Sequence, residues 1–201
     1  EKLQKLRLTI LITSIFLIVI ISFVNPAAKN RIIDHTLNQM NLINKDVRDI
    51  EGKKKYEGIY IFSMQHTHHY LSAYRMFLDN KILGVGVKNF RRFCDYEKYK
   101  ESRFSCSSHP HNTYIQILAE TGIIGFLFLM SVLILFCKFI FSHILLKIRG
   151  KYYFTDFEIC VLSGIAIYLW PFVPTGNIFN NWINIAMILN LPFLIWSRKL
   201  I

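Results

Sequence analysis

The sequence predicts an all-α integral membrane protein with about four transmembrane helices and one large, mainly helical extracytoplasmic loop. Three observations predict it. Hydrophobic residues make up 53% of the 201 positions and charged residues only 18%, with a mean hydropathy of +0.32; an ordinary soluble enzyme lies outside that balance. Charge is nearly absent from long stretches and concentrated in the rest. Basic residues flank the apolar stretches in a pattern that gives one consistent orientation. The same hydrophobicity excludes a disordered chain, and four cysteines are too few for a disulfide-dense secreted scaffold.

A helix needs about 20 apolar residues to cross a bilayer. The first candidate span runs from about Leu8 to Val24, rich in β-branched residues and free of charge; with its cytoplasmic start it defines region 1–24. The second, in region 114–142, runs from about Tyr114 to Phe141, with Glu120 near its start and Lys138 near its end. A cytoplasmic loop, 143–156, leads to a helical hairpin in 157–201: a third span from about Phe157 to Val173 and a fourth from about Ile178 to Trp196, joined by PTGNIFNN. Lys2, Lys5 and Arg7, then Lys147, Arg149 and Lys151, then Arg198 and Lys199 all fall on one side if the spans number four. The positive-inside rule makes that side cytoplasmic. Residues 25–113 and the Pro174–Asn181 turn then lie outside. Glu1 stands just ahead of a span, so the chain reads as the carboxyl-terminal part of a longer multispan protein.

Residues 25–112 carry 15 Lys and Arg against 9 Asp and Glu, a net +6. A loop this long escapes the positive-inside constraint. Its charge suits an anionic partner, lipid headgroups or a phosphate-bearing substrate, or simply a solvated basic surface. Ile33, Leu37, Met40 and Val47 give Asn30–Ile50 the spacing of an amphipathic helix; Lys53–Gly58 is turn-like. His68–Asn80 predicts a second helix with Tyr70, Ala73, Tyr74 and Phe77 on one face, followed by LGVGVKNF, a glycine-marked turn. Gly84 and Gly86 in GVG read as a tight turn, since a lone G-x-G without strand and helix context is weak evidence for phosphate binding.

Cys137 and Cys160 lie inside expected spans as packing residues. Cys94 and Cys106 lie outside, where oxidising conditions favour a disulfide that would hold SSHPHN at the membrane surface. Five of the seven histidines, His66, His68, His69, His109 and His111, fall between positions 66 and 111. With Cys94 and Cys106 they have zinc-ligand chemistry, but their spacings fit no strong zinc motif, so no metal and no cofactor is assigned. His111 stands at the outer mouth of the second span, with Glu120 nine residues on and Gly122 and Gly125 beyond. In a continuous helix Glu120 lies ~13 Å deeper than His111, out of direct contact. A carboxylate there must face protein, water or a cation. The glycines either admit a close helix neighbour or break the helix.

SHPHNTYIQILAETGIIGFLF resembles the signature of the O-antigen ligase and O-antigen polymerase family, H-[NS]-x-x-[LI]-x-x-x-x-E-x-G-x-x-G. YLSAYRMFLDNKILGVGVKNF resembles the family's upstream amphipathic helix and glycine turn, and WPFVPTGNIFNNW a stretch between the last spans of some members. Together these cover roughly the last two-thirds of the chain, in order. The resemblance implies a metal-independent glycosyltransferase in the bacterial inner membrane, multi-pass, with its large loop periplasmic. Its donor would be a glycan on undecaprenyl pyrophosphate; its acceptor would be a sugar hydroxyl on another glycan or on lipid A–core. Membrane lipids are expected partners and nucleic acid is not. His111 matches the family histidine, as base or pyrophosphate contact, with a histidine capping the span as the alternative. The family's arginine about four residues before an upstream aromatic has no counterpart: ahead of Tyr70 that place falls near His66. Contacts to the pyrophosphate are therefore sought among His66, His69, Arg75, Arg91 and Arg92. Glu120, Gly122, Gly84 and Gly86 are assigned structural roles, with a catalytic acid as the alternative for Glu120. The competing function is a non-enzymatic membrane sensor or transport component with an external ligand- or metal-binding loop.

Overall fold

The computed structural model describes residues 2–42 and 59–199; their regular secondary structure is all helical, with no strand among them. They fall into two compact units that meet between Thr67 and His68. Val47, the end of the expected Asn30–Ile50 helix and the Lys53–Gly58 turn lie outside the described residues.

In the first unit, α1 (Lys2–Val24) leads to α2 (Pro26–Lys29), a π-helical turn (Asn30–Asp34) and α3 (His35–Gln39). From Lys5 to Val24, α1 has a mean hydropathy of 2.5, and its apolar side chains are exposed all round. A helix apolar on every face suits hydrocarbon rather than water. Its end is marked by Asn25, whose Oδ1 accepts from the backbone N–H groups of Ala27 (3.0 Å) and Ala28 (3.2 Å). Pro26 sits at the first position of α2, where its missing N–H costs nothing. After α3 the chain turns at Asn41 (φ 59), one of the few side chains that tolerates the left-handed region.

The second unit holds most of α4 (Met64–Asp79), then α5 (Phe90–Phe93), α6 (Thr113–Ile148), α7 (Asp156–Leu169), α8 (Asn181–Ile188) and α9 (Asn190–Lys199). Two apolar clusters organise it. Ala73 and Met76 of α4 pack with Phe90, Cys94, Tyr99 and Ala119, which joins α4, α5 and the start of α6. Leu129, Leu162, Ile165 and Leu169 pack with Phe154 and Leu194, which joins α6, α7 and α9. The buried stripe of α4 is therefore Tyr70, Ala73 and Met76. Tyr74, expected on that face, is exposed, with its ring 6.2 Å from that of Phe77 and tilted 36° to it.

The most apolar 18-residue stretch of Thr113–Ile148 has a mean hydropathy of 2.7, and this helix, with α1, is long and apolar enough to cross a membrane. The expected third and fourth spans take a shorter form. α7 has 14 residues and begins in a capping box, Thr155 with Glu158. The last apolar stretch is divided at Leu189 into α8 and α9. Pro192, in the first turn of α9, lacks the N–H that would bond Ile188 and its ring crowds that carbonyl, so one unbroken helix is disfavoured.

Candidate functional site at the mouth of a broken helix

The polar centre of the second unit is assembled around a break in α6. Gly122 adopts φ 66 and ψ −161, far from helical values. In an unbroken helix the carbonyls of Ala119 and Glu120 would accept from residues 123 and 124. Here they accept instead from Val85 N–H and Gly86 N–H, each at 2.9 Å, while Ile123 N–H donates to Lys81 at 2.8 Å. The 81–86 turn thus replaces the missing rungs of the helix. Only glycines permit so close an approach. A Cβ on Gly84 would lie 2.4 Å from the Glu120 carbonyl carbon, and one on Gly122 would lie 2.3 Å from the Ile82 oxygen. Gly86, also at positive φ (94), ends the same turn.

Glu120, 1% exposed, closes this junction from inside. Its Oε1 accepts from Phe90 N–H at 2.8 Å and its Oε2 from Gln116 Nε2 at 3.1 Å. Gln116, fully buried one helical turn earlier, also donates to Asn177 Oδ1 (2.8 Å) and accepts from Ile178 N–H (3.2 Å). Sequence reasoning missed Gln116 and Asn177; the i, i+4 spacing of Gln116 and Glu120 was the readable signal for the first.

The HPHN segment lies at the start of α6. Asn112 caps the helix, its Oδ1 accepting from Tyr114 N–H and Ile115 N–H, and its Nδ2 donates to Pro171 at 3.0 Å. Thr175 N–H donates to the His111 carbonyl at 2.8 Å, and the Thr113 and Thr175 hydroxyls meet at 3.0 Å. The 171–178 connection is thereby pinned to the mouth of α6. His109 is buried, with Nε2 3.1 Å from the Thr175 carbonyl and Nδ1 2.8 Å from Ser108 Oγ. A carbonyl only accepts, so Nε2 carries the proton and Nδ1 accepts from the hydroxyl. Burial pushes the pKa of His109 down, against the raising effects of the Thr175 carbonyl and the Glu120 charge. Its neutral ring is a wall. Against it, at 4.2 Å between centroids, stands the ring of His111, with His69 of α4 5.3 Å away on another side. His111 itself has φ 60, an uncommon conformation for a side chain of this kind.

The cysteines expected to pair are joined, Cys94 to Cys106. Their loop is tied to α4 by Ser102 Oγ, 2.7 Å from His68 Nδ1, and by an Arg75–Glu101 ion pair at 2.6 Å. Arg75 therefore has a protein partner; burial pushes the His68 pKa down. Arg91 lines a cleft beside His109, together with Lys88, which sequence reasoning did not single out. Arg92 is exposed on the same short helix. His66 belongs to the first unit, where its Nδ1 lies 2.8 Å from Ser63 Oγ. Among the described residues no group of three His, Cys, Asp or Glu side chains is gathered to hold a metal ion.

Among the described residues the regular structure is all helical, and two helices long and apolar enough to cross a membrane, with a polar centre at the start of one of them, are consistent with a membrane protein. The chain belongs to the O-antigen ligase family, whose sequence model matches residues 2–130, or 129 of its 201 residues. No curated protein and no solved structure matches it. Membership assigns it to glycosyltransferase-type enzymes of O-antigen ligation and polymerisation, a family of the bacterial inner membrane.

Proposed function

We propose that the chain transfers a glycan from an undecaprenyl pyrophosphate carrier to a sugar hydroxyl on the periplasmic face, as a surface-polysaccharide polymerase or ligase. In this reading His111 takes the proton of the acceptor hydroxyl. The oxygen then attacks the anomeric carbon, and the bond to pyrophosphate breaks with its electron pair leaving on the phosphate. No metal takes part; cations stabilise the departing charge. His69, Arg91 and Arg92 supply the contacts to substrate, with Arg75 held close by Glu101. The four spans of the sequence reading keep residues 25–113 and the Pro174–Asn181 turn outside, and the acceptor is another lipid-linked glycan or lipid A–core.

The observation that carries this reading is His111, held at φ 60 just ahead of the helix cap, with its ring centroid 4.2 Å from that of His109 and 5.3 Å from that of His69. An imidazole suits a base because its ordinary pKa lies near neutrality, and strained conformations gather at functional sites. The test is deletion of the gene in its host, followed by restoration with wild type or His111→Ala at matched membrane levels, with the surface glycan run on a gel. Wild type should restore long chains and His111→Ala should not. In the deletion, single repeats that remain attached identify a polymerase and loss of all attachment a ligase. Full restoration by His111→Ala would remove the histidine from the chemistry.

A further inference from the structure

Beside His109 the second unit has an open cleft of about 490 Å³. Its walls carry Lys88, which follows the turn docked on the α6 break, Arg91 of α5, Asn177 of the 171–178 connection, and Asn181 and Trp182 of α8. His109 lines the cleft, and its ring centroid is 4.2 Å from that of the proposed base His111. Neither Lys88 nor Arg91 has an ion-pair partner among the described residues. Asn177 Oδ1 is used by Gln116 and by Phe179 N–H, which fixes the side chain and turns its amide N–H donors to other partners. Trp182 is 81% exposed, a large indole face with nothing of its own chain over it.

We propose that this cleft is a subsite for an acidic sugar of the uronic-acid type within the glycan substrate. The inference rests on the glycosyl-transfer reading and adds the class of sugar. Each wall supplies one part of the recognition. Arginine meets a planar carboxylate with paired N–H donors, and lysine adds a point charge. Asparagine amides hydrogen-bond to hydroxyl groups in either direction. An exposed indole offers the apolar face on which a pyranose ring lies. The volume is that of a small-ligand site.

The test uses the full-length protein in lipid nanodiscs and two soluble probes, a disaccharide ending in glucuronate and its glucose-terminated counterpart. Binding is followed by saturation-transfer NMR, which needs no turnover, so a failure of the transfer reading in the gel experiment stays separate from a failure here. The glucuronate probe should bind about tenfold tighter than the neutral one, the effect of one charge-assisted contact. Lys88→Gln with Arg91→Gln should erase the difference, and Trp182→Ala should weaken both sugars. All three side chains are exposed, so these variants keep the fold. Equal binding of the two sugars overturns the proposal. So does displacement of glucuronate by inorganic pyrophosphate at the same two cations, which would give the cleft to the leaving group. Unchanged sugar binding in Trp182→Ala also overturns it and leaves the indole as an interfacial anchor.

Discussion

Gly84→Ala strikes the junction that positions the site. The added Cβ would fall 2.4 Å from the Glu120 carbonyl carbon, 2.5 Å from Thr121 N and 2.7 Å from the Ala119 oxygen, all backbone atoms that cannot swing aside. Gly84 also sits at φ +68, where a side chain costs about 1–2 kcal/mol. To relieve the clash the turn must lift off α6, which breaks the bonds from Val85 N–H to Ala119 and from Gly86 N–H to Glu120. Each contributes about 1 kcal/mol net. The total is about 3–4 kcal/mol, enough to speed hydrogen exchange at the Val85 and Gly86 amides on the order of a hundredfold. Gly150→Ala is the control: its φ is +73 but a Cβ there meets nothing within 4 Å, so only the backbone strain applies. The assay is hydrogen exchange on the full-length protein, with thermal stability measured alongside. If Gly84→Ala costs no more stability than Gly150→Ala and its amides stay protected, close packing is not the reason for glycine at 84.

Glu120→Gln keeps the shape of the side chain but offers one acceptor where two are used, by Phe90 N–H and by Gln116 Nε2; a loss of about 1–3 kcal/mol is expected, and wild-type thermal stability in this variant would refute the anchoring role. His68 and His109 have pKa values pushed below the ordinary 6.5 by burial, so the unfolded chain binds more protons than the folded one beneath that pH. Their contribution to stability is therefore complete above about pH 6.5 and is lost as pH falls through the lower folded values; the thermal midpoint should drop on mild acidification, and less so in His109→Asn, whereas identical profiles would count against it. Cys94 and Cys106 should resist maleimide in native membranes until reduced, and reduction should cost about 3 kcal/mol by releasing a short loop; immediate labelling of both would contradict the bridge.

The sequence made local chemistry legible and left non-local geometry hidden. The apolar run of α1, the oxidised pair Cys94–Cys106 and the break at Gly122 were readable because each depends on composition, compartment or a single residue's backbone freedom. The buried face of α4 was read with Tyr74 on it, since periodicity gives a stripe but not the neighbour that covers it; Phe90 and Ala119, far along the chain, cover Ala73 and Met76. Lys88 and Asn177 were invisible for the same reason, whereas Gln116 had a local signal in its i, i+4 spacing to Glu120. Nothing near residue 177 in the chain announces that its amide meets a helix sixty-one residues earlier.

That long-range contact has a consequence for how His111 is held. Because the Ala119 and Glu120 carbonyls bond to the 81–86 turn, the first turns of α6 are tied to that preceding segment as well as to the rest of their own helix. The opposite side is fixed by the α7–α8 connection, through Thr175 to the His111 carbonyl, Asn112 to Pro171 and Gln116 to Asn177. His111 thus sits where two segments clamp a short helical piece, and neither clamp is made by a residue that the proposed chemistry uses. A displacement of the 174–178 connection would either break the 2.8 Å bond from Thr175 or carry the His111 backbone with it. Gly176 and Asn177, which line the cleft, directly follow Thr175, so the bond that holds the His111 backbone and part of the cleft wall belong to one short stretch of chain.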